Sequence, residues 1–239
     1  MSGLVTLLGA GPGDAELLTL KGKRRLQEAD VLVFDRLVNQ ELFQHLKSGC
    51  EKIDVGKKPG QPCIRQEEIE KILIEKARQG KRVVRLKSGD PYIFGRGGEE
   101  GVKLVEAGVD FEVVPGITSA VAGLTYAGIP MTYRDVATSF HVFTAHLKDE
   151  TEMLNWEAIS KLKGTLVFLM GMKNLPTIVQ ELTARGYGKD KPAAIVEWGT
   201  HPQQRSVDGT LGNIVELAEA EDFKAPSVIV VGDVVAYRQ

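Results

Sequence analysis

Strand-length apolar runs alternate with helical patterns through the first half of the chain, and this rhythm restricts the fold more than any other feature. The strand-like segments fall at residues 4–8, 31–34, 52–55, 82–87 and 111–114. Helical patterns follow them at 19–28, 42–46, 66–78, 99–107 and 120–126. Over 66–78, Ile69, Ile72, Leu73 and Ala77 share one face, with Glu67 and Lys71 one turn apart outside it. Repeated strand–helix units specify βαβ crossovers and a parallel sheet. After a break near residues 115–120, where a domain boundary is expected, strands recur at 140–144, 165–170, 193–198 and 228–231. Helices fit 174–185 and 211–220. A run at 203–207 is separated from the preceding strand by a short turn only, which predicts an antiparallel pair.

The residues that interrupt this pattern fall in one kind of place. Residues 9–14, Asp35, Gly56 with Lys57, residues 88–90 and residues 115–119 each lie just after a strand. In a parallel sheet those ends share one edge, where open α/β sheets bind ligands. The densest stretch is 85–100, which holds Gly89, Gly95, Gly97 and Gly98 beside Asp90, Arg96, Tyr92 and Phe94. A simple turn needs one or two glycines. Four predict a backbone that a ligand approaches closely, at the N-terminus of a helix with free N–H groups.

Composition narrows the classes. A net charge of −2 disfavours a nucleic-acid partner. No apolar run reaches membrane-spanning length, and the first ten residues lack the charged region of a signal peptide. The two cysteines, Cys50 and Cys63, have no metal-binding spacing and fit a reducing, cytoplasmic setting. The four histidines, at 45, 141, 146 and 201, form no ligand pair, so no metal is expected. Gly9-Ala10-Gly11-Pro12-Gly13 is a poor dinucleotide fingerprint: its third glycine comes one residue early, and Pro12 offers no N–H to a pyrophosphate. Taken singly, Asp35 reads more readily as a surface cap, Lys57 and Lys58 as solvated charges and Met170 as core, while Arg96 fits a helix cap and His146 a structural role.

The combination is more specific than its parts. Gly-Ala-Gly-Pro-Gly-Asp, Asp-Arg-Leu-Val, the whole of 85–100 and Val-Pro-Gly-Ile-Thr-Ser-Ala occur in that order. Tyr-Ala-Gly-Ile-Pro-Met-Thr-Tyr-Arg-Asp, Thr-Leu-Val-Phe-Leu-Met-Gly and Glu-Trp-Gly-Thr follow. Over residues 3–235 the chain resembles the tetrapyrrole methylase family, and within it the members that methylate uroporphyrinogen III. The resemblance implies two α/β domains, residues 1–116 on a parallel sheet and 117–239 on a mixed sheet, with the active-site cleft between them, in a homodimer. It implies S-adenosylmethionine as methyl donor, with no metal. By motif, the donor would contact Pro12, Ser88, Gly89, Asp90, Ile93, Thr118, Ser119, Met170 and Gly199. Asp35 and Lys57 match the family's proton acceptor and donor, and Arg96 and Arg134 are suited to the carboxylates of the substrate. Methylation at carbons 2 and 7 of the macrocycle would turn uroporphyrinogen III into precorrin-2 through precorrin-1, for sirohaem or cobalamin synthesis. No appended dehydrogenase or ferrochelatase segment is expected. Three positions depart from the family pattern: Ser88 and Ala145 stand where glycine is usual, and Tyr133 where histidine is usual. A binding module without catalysis and a methylase of later corrin intermediates are the rival readings. The first need not keep a carboxylate at Asp35 beside Lys57.

Overall fold

Apolar runs closed by glycine-bearing loops become the strands of two sheets. The computed structural model describes residues 3–56, 64–145 and 154–239. Packing divides the chain into Met1–Thr118 and Ser119–Gln239.

The first unit runs β1 (Val5–Gly9), α1 (Leu20–Glu28), β2 (Val31–Phe34), β3 (Glu51–Asp54), α2 (Gln66–Arg78), β4 (Val83–Lys87), α3 (Gly97–Glu106) and β5 (Phe111–Val114). Its sheet has the order β3-β2-β4-β1-β5, and every pair is parallel. The inner strands β1, β2 and β4 are buried throughout, as a sheet covered on both faces requires. Helix α1 starts where the Thr19 hydroxyl accepts from Gly22 N at 3.0 Å. Helix α2 covers the span expected of it and buries Ile69, Leu73 and Ala77 against the sheet, while Ile72 is half-buried. A helix expected at 42–46 is instead a 3-10 turn, Gln40–His45. Asn39 tightens its start by accepting from Glu41 N at 2.9 Å, and an i→i−3 bond from Leu46 N closes it.

The second unit runs α4 (Ser119–Tyr126), β6 (Phe140–Thr144), α5 (Trp156–Ile159), β7 (Thr165–Leu169), α6 (Leu175–Ala184), β8 (Pro192–Glu197), β9 (Arg205–Thr210), α7 (Ile214–Ala220) and β10 (Ser227–Val231). The sheet order is β6-β7-β10-β8-β9. Strands β6 and β7 are parallel and the other pairs antiparallel, so the sheet is mixed. Alternation along β7 sends Leu166 and Phe168 into one apolar layer and Val167 and Leu169 into the other. Strand β9 pairs antiparallel with β8, as expected, but reaches Thr210 rather than 207. Helix α7 begins three residues later than its apolar pattern, because Asn213 holds the preceding turn by accepting from Thr210 N at 2.8 Å. The one-turn helix α5 is not anticipated by the sequence. Asn155 caps it, and Trp156 and Ile159 anchor it in the core.

Candidate active site

In the first unit the strand ends meet as the alternation predicts. The backbones of Gly9, Gly89 and Gly116 are in direct contact. A Cβ on Gly9 would lie 2.4 Å from Gly116 N, and one on Gly116 would lie 2.2 Å from Gly89 O. Gly11 and Gly89 exchange hydrogen bonds of 3.2 and 2.7 Å. Asp90 uses both carboxylate oxygens on this floor, accepting from Tyr92 N at 2.8 Å and from Gly116 N at 3.0 Å. From the loop after β2, the Asn39 amide donates to Gly13 O at 2.8 Å. Pro12 is buried beside the floor, Ser88 and Thr118 are half-buried, and Ile93 is 44% exposed. Gly89 sits at φ 68°, a left-handed conformation that glycine adopts without strain, so its identity serves the turn as well as any ligand.

Asp35 ends β2 on the same edge. Its Oδ1 accepts from Arg85 Nη2 at 2.7 Å, with Asp35 one-third exposed and Arg85 buried. Arg85 Nε donates to Glu100 Oε1 at 3.1 Å. Lys87 Nζ reaches the same oxygen at 3.0 Å, and the Gln66 amide at 3.1 Å. Among the described residues, Glu100 Oε2 is buried without a partner. Burial, joined by the neighbouring Arg85 charge, pushes the Lys87 ammonium below its ordinary value, with Glu100 opposing. Sequence reasoning misses Arg85, Lys87 and Glu100 as site residues. The signal was two cations, two positions apart, in a strand otherwise apolar.

Arg96 lies beyond the floor at the start of α3, with φ 59°. Its guanidinium forks onto Glu99, with Nε and Nη2 at 3.0 and 2.6 Å from the two carboxylate oxygens, and both side chains are about half exposed. The hydrogen bonds that Arg96 donates to Glu99, and the Glu99 charge, raise Arg96 above its ordinary value, against desolvation.

In the second unit, β7 and β8 both run antiparallel to β10, so their ends share one edge. Three non-glycine residues there have left-handed backbones: Met170 at φ 56°, Trp198 at 51° and Thr200 at 71°. Such strain clusters at functional sites. Met170 is half exposed rather than core. Gly199 packs on α4, where a Cβ would lie 2.8 Å from Gly123 Cα. Ser119 opens α4 and is half-buried; Arg134 is exposed in the turn closed by Tyr133 and Ala137. Ala145 is buried after β6, and its carbonyl accepts from the Asn174 amide at 2.6 Å. Lys57 and His146 lie outside the described residues. Among the described residues, no three His, Cys, Asp or Glu side chains cluster as a metal site, and no helix is long and apolar enough to cross a membrane.

An open parallel sheet with a glycine floor and a carboxylate at its strand ends is of the α/β class in which ligands bind at the carboxyl edge of the sheet. The family model of the tetrapyrrole (corrin/porphyrin) methylases matches residues 4–215. The chain is 47% identical over 236 residues to a uroporphyrinogen-III C-methyltransferase of Priestia megaterium, spanning 98% of this chain and 99% of that one. It is 49% identical to a sirohaem synthase of Thiobacillus denitrificans, of which it spans half the length. A crystal structure of uroporphyrin-III C-methyltransferase from Thermus thermophilus complexed with S-adenosylhomocysteine superposes with a TM-score of 0.84 at 37% identity, covering 98% of this chain and 94% of that one. The chain belongs to the tetrapyrrole methylases.

Proposed function

We propose that this chain is an S-adenosylmethionine-dependent C-methyltransferase that converts uroporphyrinogen III to precorrin-2 by way of precorrin-1, for sirohaem or cobalamin synthesis. The observation that carries the reading is 47% identity to the Priestia megaterium enzyme across nearly the full length of both chains. A homodimer is part of the proposal.

The residues fit the donor. The glycine floor leaves no room for a Cβ between the loop backbones. In the first unit Ile93 is exposed and offers apolar cover, and Ser88 and Thr118 are half-buried in the loops after β4 and β5; in the second unit Met170 is half exposed and is a further proposed contact. Bound there, S-adenosylmethionine supplies a sulfonium methyl to an electron-rich pyrrole carbon and leaves as S-adenosylhomocysteine. The remaining work belongs to the chain. Alignment of the two reactants supplies much of the rate. Asp35 takes the proton that the methylated ring must lose, and passes it to water through its exposed side. Lys57 is the proposed proton donor. Arg96 and Arg134 are proposed to hold the carboxylates of the tetrapyrrole, Arg96 by exchanging Glu99 for a substrate carboxylate of the same shape.

The test is incubation with enzymatically generated uroporphyrinogen III and labelled S-adenosylmethionine, followed by mass analysis. Two labelled methyl groups on the tetrapyrrole are expected. Transfer only to a later corrin precursor, or binding of both ligands without transfer, overturns the proposal.

A further inference from the structure

We infer that Arg85 is a positioning residue for Asp35, with the buried Glu100 as its anchor and Lys87 as the balancing charge. The inference rests on the reading of Asp35 as proton acceptor. Arg85 and Lys87 lie two apart on β4, so both point to one face of the sheet, and Glu100 reaches them there from α3. The guanidinium is a rigid planar fork. One arm is fixed on Glu100 and another holds Asp35, so the carboxylate is set relative to the central strand rather than to its own loop.

Folding alone does not explain these charges. In register on either side of Arg85 stand Leu7 and Val33, both fully buried. An apolar residue therefore suits this position in the sheet. Burying an ion costs several kcal/mol, and well-packed apolar groups in place of buried ion pairs are often neutral or stabilising. Among the described residues Glu100 Oε2 also has no partner, which a cluster built for stability would supply. The cluster has a direction as well. Arg85, Lys87 and Glu100 are at most 3% exposed, whereas the Asp35 side chain at its end is 33% exposed. The group holds two cations and two carboxylates, and its exposed end is Asp35, from which a proton taken there has a path to water.

The experiment compares Arg85→Lys, Asp35→Asn and the double variant, each assayed by calorimetry with S-adenosylhomocysteine, thermal melting and steady-state methylation of uroporphyrinogen III. Lysine keeps the charge but cannot span Glu100 and Asp35 as a fork. Arg85→Lys is expected to lower kcat about 10–100-fold, the scale of a misplacement near 1 Å, with KM and S-adenosylhomocysteine affinity close to parent. In the Asp35→Asn background the same change is expected to add little. Multiplicative losses in the double variant, or a folded Arg85→Lys protein with parental kcat, overturn the inference. Full turnover in Asp35→Asn alone overturns the reading of Asp35 instead. A charge-free variant, Arg85→Met with Lys87→Met and Glu100→Leu, separates folding from function: it is expected to melt at or above the parent temperature yet turn over slowly. If it is stable and fast, or if neither it nor Arg85→Lys folds, the cluster is structural and the inference fails.

Discussion

Two charge clusters are built on the same parallel sheet, and they are arranged in opposite ways. Towards the amino edge, Glu112 on β5 accepts from Lys21 at 2.8 Å, from the Thr6 hydroxyl at 3.1 Å and from Arg25. Burial pushes its carboxyl up, but the hydrogen bonds from Arg25, Lys21 and Thr6 outweigh this and bring it down to about 2. Thr6 is buried, but both cations are part-exposed and come from a surface helix. Towards the carboxyl edge, Arg85, Lys87 and Glu100 are buried in the central strand and the helix over it. There the carboxylate at the end of the chain of contacts is the least buried member. The first cluster satisfies its central acid and ties α1 to β5. The second leaves an oxygen of its central acid without a partner among the described residues and holds the Asp35 carboxylate at the strand ends. On the proposed reading, ion pairs on one sheet serve stability at one edge and chemistry at the other, and burial with direction separates them.

The sharpest way to break this contrast is to disturb the carboxyl edge without touching a charge. Gly116→Ala places a Cβ 2.2 Å from Gly89 O, a backbone atom that has no way to yield cheaply. It is expected to cost roughly 1–3 kcal/mol of stability, the scale of overpacking, and to abolish detectable binding of S-adenosylhomocysteine by calorimetry. A variant that binds as the parent does would remove the glycine floor from the site. Gly89→Val is also expected to lose binding, but left-handed backbone strain contributes there, so Gly116 is the cleaner probe.

The opposite edge sharpens the contrast through pH. Because Glu112 is held below the ordinary carboxylate range, its contribution is fully present above about 4.5 and is lost as pH falls towards about 2. Glu112→Gln is expected to lower stability by ~1–2 kcal/mol at pH 7, after discounting for its part-exposed partners. The gap in melting temperature between parent and variant is expected to close as the pH is lowered through that window. A gap that stays constant with pH assigns the stabilisation to packing rather than charge.

Arg96→Ala has the smallest expected effect. Its guanidinium is already paired with Glu99 on the surface, so a substrate carboxylate gains only the difference between two similar partners. KM for uroporphyrinogen III is expected to rise about tenfold or less, at the low end of what a charge-assisted pair contributes. An equal loss of S-adenosylhomocysteine affinity would place Arg96 with the loop rather than the substrate.

Much of this is legible in the sequence. In the first unit strand-length segments alternate with helical patterns and end in loops rich in glycine, aspartate or proline, so the strand order along the chain, the parallel sheet and the shared edge of Gly11, Asp35, Gly89 and Gly116 follow from pattern alone. The second unit is harder. Strand β9 lies at the sheet edge, and its Asp208 and Gly209 read as loop until pairing with β8 supplies the ladder. Helix α5 is too short to show a period. The Arg85 cluster escapes for a different reason. Its two cations are visible in the strand, but Glu100 is 15 residues from Arg85 and Asp35 is 50 away, and only the tertiary fold makes them one group. Arg96 and Asp90 are placed at the right edge by sequence, while their actual partners, Glu99 and the Gly116 amide, are set by backbone geometry.

The most direct measurement sets the two edges side by side: single-turnover methylation per folded molecule, with melting temperature, for Asp35→Asn and Glu112→Gln under one set of conditions. Asparagine keeps the size of Asp35 and one acceptor for Arg85 but takes no proton. Asp35→Asn is expected to melt near the parent temperature and to methylate ~10²–10⁴-fold more slowly, the range of a positioned general base. Glu112→Gln is expected to melt lower and to methylate at the parental rate. An Asp35→Asn protein that is folded and fast, or a loss of rate shared equally by both variants, contradicts the account.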